Sequence, residues 1–437
     1  MGILFPWYER ARAQREIASN NDYRFHRYEE GFDPATDSSP VPDWLSGVLD
    51  HHHFYDVVDI FVEPSTEENL ARMQSLPELE SIWFTMGDGA TEEGISGLAS
   101  LTKLRSVKII DSQHSSRANE KPADLMGIAN LTQIEELRVS IPSVFARVED
   151  SVPEIAKLTN LRKLRLALAV EVTDPKVQPL GNLTGLESLY IEWLYFGRNN
   201  FDEFNSPPEV SPPSHHFLGK LKQLKELSLH GYSVINGEVL SSLQGLPHLE
   251  TLIIHLEGRQ YTPAAIKNLE KLARLRTLRL HYDPRLVEPP EVSEADLVRL
   301  CNKINLREFW FDLHVYQNGS ELDQFTTLEH LHIDGGSRLK SESVPLRLNL
   351  FKGLKVLEFS DMDSLTDADL AKIAQHGRLK KVHLQKCHNV TEAGIAKLAN
   401  LKTLTHLEVK YCENVTSADE KSLRAALPKV LIEFKYL

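Results

Sequence analysis

Cysteine is scarce in this sequence. The 437-residue chain has only three, Cys301, Cys387 and Cys412. Three thiols cannot build the framework of paired bridges that holds small secreted domains together, and such low cysteine usage is typical of chains kept in a reducing compartment. We therefore expect no disulfide framework and predict a cytoplasmic protein.

Long apolar runs are also missing. The N-terminal stretch Met1–Arg10 contains too short an apolar segment for a signal peptide, and Pro6 stands where a myristoylation signal needs Ser or Thr. No later stretch approaches the roughly 18 consecutive apolar residues that a membrane-spanning helix needs. The sequence therefore predicts no membrane span.

Signatures of catalysis are absent as well. The chain has no Gly-x-x-x-x-Gly-Lys-Ser/Thr loop, no His-Glu-x-x-His pair, no Gly-x-Ser-x-Gly elbow and no dinucleotide fingerprint. We predict that the chain is not an enzyme and carries no cofactor.

Positive charge is in deficit. Acidic side chains number 62 against 49 basic ones, which leaves a net charge of −13. Because an acidic chain is repelled by a phosphate backbone, nucleic acid is excluded as a predicted partner.

What the sequence does contain is a repeat. Leu379–Leu384 and Leu404–Val409 carry the same short apolar strand pattern, with Val382 and Leu407 separated by 25 residues and a capped helix pattern between them. A strand and a helix at this period predict a solenoid in which neighbouring units bury one another's leucines. The first strand leucine, or its substitute, recurs at Ile82, Val107, Leu137, Leu164, Leu189, Leu227, Leu252, Leu278, Phe309, Leu331, Leu357, Val382 and Leu407.

This pattern resembles the leucine-rich repeat superfamily. The resemblance is greatest to units of about 25 residues whose helix opens on Thr followed by Asp, Glu or Ser, as at Thr91, Thr173, Thr366, Thr391 and Thr416. Cys387 and Cys412 stand at equivalent positions, as in the cysteine-containing class that includes the substrate-binding halves of F-box proteins. The units are also similar to long repeat proteins of environmental bacteria. The resemblance implies an α/β leucine-rich repeat solenoid, a curved horseshoe with a parallel sheet on its concave face and mostly helices on its convex face.

The repeats predict the domain organisation. Residues 1–56 do not repeat and are interpreted as an N-terminal cap that covers the first open end of the core. Residues 57–437 are predicted to form about 14–15 units, with Val430 and Ile432 as the strand leucines of the last one. A Pro-rich insertion at 193–217 is predicted to leave the solenoid as a loop.

The strand pattern also predicts a surface. Side chains alternate along a strand, so residues between the two leucines of each unit should line the open face in one row, which we call the central row. Its predicted members run from Trp83 to His383, Glu408 and Leu431. Those proposed to contact a partner are Trp83, Lys108, Arg138, Arg165, Tyr190, Arg279, Trp310, His332 and Glu358. The aromatic members have no core to join and resemble binding anchors.

Histidines recur in the next outward row. His230, His255 and His281 occupy three consecutive units and are followed by Asp312 and Asp334. Such imidazoles either share a Zn²⁺ ion, titrate together as a pH-responsive group, or serve as ordinary amphipathic surface residues. A linear row suits the convergent geometry of a metal poorly.

The favoured interpretation of function is a non-catalytic scaffold, monomeric, that recognises a protein partner through its concave face. One alternative is a metal- or pH-responsive binding module centred on the three histidines. Another is an F-box-like substrate-recognition subunit, although the first 55 or so residues show no three-helix adaptor pattern.

Overall fold

The structure is a computed structural model. It describes residues 24–26, 59–62, 66–74, 76–86, 91–111, 125–140, 148–169, 174–194, 215–230, 239–256, 262–282, 294–312, 327–334 and 353–436. By their contacts the residues group into two compact units, Met1–Leu224 and Lys225–Leu437, here called the N-terminal and C-terminal units.

The N-terminal unit alternates short strands with short helices. Its strands are β1 (Arg24–His26), β2 (Asp59–Val62), β3 (Ser81–Met86), β4 (Ser106–Asp111), β5 (Glu136–Ser140), β6 (Lys163–Ala169) and β7 (Ser188–Leu194). The α-helices are Glu67–Met73, Glu92–Gly97, Val152–Ile155 and Asp174–Val177. The 3₁₀ helices are Leu98–Ser100, Met126–Asn130, Val148–Ser151, Gln178–Asn182 and His216–Lys220.

The C-terminal unit repeats the same plan. Its strands are β8 (Glu226–His230), β9 (Thr251–Leu256), β10 (Thr277–Tyr282), β11 (Glu308–Asp312), β12 (His330–Asp334), β13 (Val356–Ser360), β14 (Lys381–Gln385), β15 (His406–Lys410) and β16 (Leu431–Lys435). The α-helices are Val239–Ser242, Pro263–Leu269, Glu294–Ile304, Asp367–Ile373, Glu392–Ala396 and Glu420–Ala426. The 3₁₀ helices are Leu243–Gly245 and Lys397–Asn400.

Strand order confirms the predicted fold class. Within each unit, successive strands from β2 to β7 and from β8 to β16 pair in parallel, each with its neighbour in sequence. Every first strand leucine predicted from the repeat is buried, from Ile82 to Leu407. A core shared between neighbouring repeats under a parallel sheet defines an α/β leucine-rich repeat solenoid.

A strand that the repeat pattern did not predict precedes β2. The backbone of β1 pairs antiparallel with β2, with Arg24 opposite Phe61 and His26 opposite Asp59. Part of the non-repeating segment 1–56 therefore joins the sheet, and its opposite direction separates it from the repeats. The role of this segment as a cap stays a prediction.

The predicted register of the last strand is wrong by two residues. Leu407 lies opposite Ile432 and Glu408 opposite Glu433, so Glu433, not Leu431, occupies the central row. The strand leucines of the last unit are thus Ile432 and Phe434 instead of Val430 and Ile432, and Leu431 is 54% exposed. Three apolar residues at alternate positions fit two registers equally well, and the hydrogen bond from Leu431 N to Thr405 O, at 2.9 Å, selects between them.

The predicted insertion at 193–217 is too wide at both ends. Trp193 lies within β7 and is 2% exposed, and Phe217 lies in a 3₁₀ helix and is fully buried. The Trp193 ring packs edge-on against His215 with centroids 5.3 Å apart. Both aromatic residues belong to the core because they continue the apolar positions of the repeat. Residues 195–214 lie outside the described residues, so the predicted loop stays a prediction.

The threonines that open the helices use two arrangements. Thr66 and Thr91 accept from the backbone N–H three residues later, at 3.1 and 3.2 Å, as predicted for helix caps. Thr366 and Thr416 instead donate their hydroxyls to the aspartate three residues on. Where a carboxylate lies three residues on, the threonine hydroxyl donates to it.

Thr391 is held by the preceding repeat. Its backbone N–H and hydroxyl donate to the two oxygens of Asp367, at 2.9 and 2.6 Å. A Cβ placed on Gly394 would lie 2.0 Å from Asp367 Oδ1, so only glycine leaves room for this carboxylate. Asp367 therefore links the starts of two consecutive helices.

We predict that Asp367→Ala loosens the helix Glu392–Ala396. Losing an acceptor that serves two donors should cost about 1–2 kcal/mol. Native-state hydrogen exchange should show faster exchange at Thr391 and Ile395. Asp363→Ala, which removes an exposed carboxylate nearby, serves as the control and should leave both amides protected. Unchanged exchange in Asp367→Ala would show that the link carries no stability.

Candidate functional site

The central row exists within each unit with the predicted members, except that Glu433 replaces Leu431 at its end. In the N-terminal unit, Trp83 lies opposite Lys108, Lys108 opposite Arg138, Arg138 opposite Arg165, and Arg165 opposite Tyr190. In the C-terminal unit the same register aligns Ser228, Ile253, Arg279, Trp310, His332, Glu358, His383, Glu408 and Glu433. Equivalent side chains are therefore direct neighbours, about 4.8 Å apart.

Side chains of the N-terminal central row lie on one another. The ammonium of Lys108 sits 4.2 Å from the centre of the Trp83 ring, and the Arg165 guanidinium lies 3.9 Å from the centre of the Tyr190 ring. Trp83 is 37% exposed, the largest exposed aromatic among the described residues. The row is thus a stacked surface of cations and rings rather than a set of separate side chains.

Tyr190 is fixed at the end of this row. Its hydroxyl donates to Glu192 Oε2 at 3.2 Å. Burial and the nearby charge of Glu192 raise the pKa of Tyr190, and the opposing charge of Arg165 does not cancel this effect. The phenol therefore stays neutral and acts as a hydrogen-bond donor.

In the C-terminal unit, Trp310 is the centre of a closed stack. The Arg279 guanidinium lies 3.8 Å from the centre of its ring, and the His332 imidazole lies parallel to the indole with centroids 4.0 Å apart. His332 is only 9% exposed. The sequence predicted that these residues project from an open face to contact a partner. The strand register instead brings them close enough to bury one another.

Carboxylates contact both ends of this stack. Glu308 Oε1 accepts from Arg279 Nη2 at 2.8 Å. Glu358 bridges two imidazoles, since its oxygens lie 3.1 Å from His330 Nε2 and 3.1 Å from His332 Nδ1. Burial alone would raise the pKa of Glu358, but the hydrogen bonds and charges of the two histidines outweigh it and hold the pKa far below the usual range.

His330 and Glu308 are site residues that sequence reasoning missed. Both lie at the first position of their strands, opposite one another, and thus just beside the central row. His330 also packs edge-on against Trp310 with centroids 5.8 Å apart. The repeat gives their register relative to Trp310, but the predicted contact surface included only the central row and the row after it.

The paired chemistry continues to β15. His383 Nε2 lies 3.1 Å from Glu408 Oε2, and Glu408 also contacts the ammonium of Lys410. Burial lowers the pKa of His383 below its ordinary value, helped by Lys410 and His332, although Glu408 and Glu358 oppose the shift.

The predicted metal-binding histidines stay a prediction. The backbone places His255 opposite His281 on adjacent strands, while the side chains of both lie outside the described residues. His230 Nε2 lies 2.6 Å from Ser228 Oγ. Within the side chains that the structure describes, no group of three or more His, Cys, Asp or Glu is placed to hold a metal ion.

The cysteines pack as small core residues. Cys301, Cys387 and Cys412 are buried free thiols. The thiols of Cys387 and Cys412 point at carbonyls of the preceding repeat, Phe359 O at 3.9 Å and Leu384 O at 3.7 Å. Burial raises the pKa of the Cys301 thiol well above its usual value.

Of the helices the structure describes, none is long and apolar enough to cross a membrane.

Comparison with known proteins adds distant likenesses only. No protein-family model matches the chain, and no curated protein matches its sequence. Similar solved structures include an internalin of Listeria monocytogenes, 17% identical, covering 84% of this chain and 88% of that one, with a TM-score of 0.36. An internalin C2 of the same organism is 19% identical over 51% of this chain and 80% of its own, with a TM-score of 0.32.

A chain from the crystal structure of the yeast Rad7 and Elc1 complex is 16% identical, covers 87% of this chain and 82% of its own, and has a TM-score of 0.43. Likeness at this level supports no conclusion about function. The assignment as a leucine-rich repeat solenoid follows from this chain's own parallel strands and shared core, and the finer resemblance to the cysteine-containing class stays a prediction.

We predict that His383 makes the stability of the chain fall with acid. Because folding lowers the pKa of His383, the unfolded chain binds the proton more readily, so stability drops as pH falls through about 6.5. Urea unfolding from pH 7.5 to 5.5 should show a smaller loss for His383→Gln than for the wild type.

His406→Gln provides the matched control, because this exposed histidine lies on the adjacent strand β15. It should keep the wild-type pH dependence. Identical pH dependence in His383→Gln and the wild type would contradict the assignment. Glu358 does not confuse the test, because its low pKa acts only in more acidic solution.

Proposed function

We propose that this chain is a non-catalytic scaffold that binds a protein partner through the sheet face carrying the central row. The observation that supports this most is the exposed Trp83 at the end of a stacked row of cations and rings. Large aromatic and arginine side chains fixed on a surface are the residue types that dominate binding energy at protein interfaces.

The stacking favours binding for a second reason. A side chain that already lies against its neighbour loses little conformational freedom when a partner covers it. Lys108 on Trp83 and Arg165 on Tyr190 are held in this way before any partner arrives. The sheet face therefore has an ordered surface of mixed charge and aromatic character.

The two units offer different surfaces. In the C-terminal unit, Glu308, Glu358 and Glu408 pair with the cation and histidines of the row. We expect the N-terminal row to contribute most of the affinity. Cytoplasmic location, a monomeric state and an F-box-like assembly stay predictions.

The test is selection from a displayed library of protein fragments against the immobilised full chain. Fragments that bind the wild type are then measured against Trp83→Ala and Tyr190→Ala. We predict at least a tenfold loss of affinity in one of these variants, because interface hot spots cost about 2 kcal/mol or more.

Met126→Ala is the control for these variants. Met126 is a large apolar side chain, 43% exposed, on the helical side of the same unit. Its substitution should leave affinity within twofold of the wild type. Fragments that bind Trp83→Ala and Tyr190→Ala as tightly as the wild type would place the binding surface away from the sheet face.

A further inference from the structure

Three cations lie side by side at the middle of the N-terminal central row. Lys108, Arg138 and Arg165 occupy directly opposed positions on β4, β5 and β6. Among the described residues, none of the three has a carboxylate within ion-pair distance, whereas the structure records such pairs for many other cations. Like charges on neighbouring strands repel, so the folded chain keeps an unfavourable arrangement here.

A second row of charged residues in the same unit does form ion pairs. Just before the strands, Arg105, Glu135, Arg162 and Glu187 alternate in sign, and Glu135 lies 3.6 Å from Arg105 while Glu187 lies 2.7 Å from Arg162. This balanced row immediately precedes the strands and lies three positions before the central row. Among the described residues, Lys108, Arg138 and Arg165 therefore lack the carboxylate partners that the neighbouring row of the same unit has.

Nearby acidic groups leave a local excess of positive charge. On the outward positions of β4 to β7 stand four cations, Lys108, Arg138, Lys163 and Arg165, and two carboxylates, Glu136 and Glu192. Glu192 already accepts from the Tyr190 hydroxyl. This part of the sheet face is thus positive in a chain whose net charge is −13.

Arg138 differs from its two neighbours. The structure records a ring beneath Lys108 and beneath Arg165 and records none beneath Arg138, among the residues it describes. The Nε of Arg138 is shielded from solvent and has no hydrogen-bond acceptor within the described part of the chain. A carboxylate is the planar acceptor that matches the donor fork of an arginine guanidinium.

We propose that the row from Trp83 to Tyr190 binds an extended acidic segment of the partner protein. Carboxylates of that segment pair with Lys108, Arg138 and Arg165, and its apolar side chains contact the two rings at the ends. Five positions about 4.8 Å apart span about 19 Å, which matches about six residues of extended chain. This inference rests on the proposed function and names the chemistry of the partner.

A protein segment fits this row better than a nucleic acid does. The positive patch covers only four strands, and the acidic remainder of the chain repels a long phosphate backbone. A short acidic peptide can place its negative charges on the positive patch without extending over the acidic surface beyond it.

The test is fluorescence anisotropy with the full chain and a labelled twelve-residue probe peptide that carries six glutamates in a Gly/Ser background. The matched probe has glutamine at the same six positions, and a third probe is a single-stranded RNA twelve-mer. We expect the glutamate peptide to bind at least tenfold more tightly than the glutamine peptide, and more weakly as salt is raised. Equal binding of the glutamine peptide, or tighter binding of the RNA, would overturn the proposal.

The variant for this test is Lys108→Gln/Arg138→Gln/Arg165→Gln. Its control, Lys103→Gln/Lys157→Gln/Lys220→Gln, removes the same charge from exposed positions of the same unit outside its strands. We expect at least a tenfold loss of affinity for the glutamate peptide in the row variant and less than a twofold change in the control. Equal losses in both variants would show attraction by net charge alone and overturn the proposal.

Circular dichroism of each variant checks that the repeats remain folded. If the triple variant unfolds, Arg138→Gln against Lys157→Gln gives the same comparison with one charge. Selected fragments that depend on Trp83 but carry no acidic run would overturn this inference while the proposed function stands. Fragments that ignore the sheet face would overturn the proposed function itself.

Discussion

The structure depends on one constraint, the backbone hydrogen bonds that hold equivalent residues of consecutive repeats opposite one another. At the entry to each strand the same bond recurs, for example from Arg105 N to Glu80 O and from Glu135 N to Arg105 O, both at 2.8 Å. Because this register repeats without a shift inside each unit, leucines stack on leucines beneath the sheet. The same register places every outward side chain beside its counterpart, so the surface is organised by the same bonds as the core.

Because of this spacing, any large or charged residue of the central row either interacts favourably with its neighbours on the adjacent strands or is repelled by them. The C-terminal unit resolves it by mutual satisfaction, with Trp310 between Arg279 and His332 and with Glu358 shared by two histidines. The N-terminal unit resolves it only in part. The rings of Trp83 and Tyr190 each contact one cation, but three positive charges stay adjacent, and none of them has a carboxylate within ion-pair distance among the described residues. We propose that these charges, which have no carboxylate partner in the described part of the chain, pair with another molecule.

The fold was predictable from sequence because burial and period specify it together. The first apolar strand position of each repeat from Ile82 to Leu407 was correctly predicted to be buried, because a one-residue shift in register would expose it. Prediction was wrong where that control weakens. At the last strand, Val430, Ile432 and Phe434 fit either of two registers. At Trp193 and Phe217, core positions lie next to a proline-rich segment and were assigned to it. The members of the central row were also predictable, but their contacts were not. Three contacts depend on how far side chains reach between repeats, which the sequence of one repeat does not show. Arg279 stacks on Trp310, and His330 packs against the same ring. Thr391 donates to Asp367 of the preceding repeat.

The most direct test of this account is a double-mutant cycle between Arg279 and Trp310, measured by urea unfolding with Arg279→Ala, Trp310→Leu and the double variant. If side chains of the central row stabilise one another across repeats, the cycle should give a favourable coupling of about 0.5–2 kcal/mol. Additive effects of the two substitutions, with a coupling of about zero, would show that the row is only an arrangement in space and would contradict the claim that repeat register builds the surface as it builds the core.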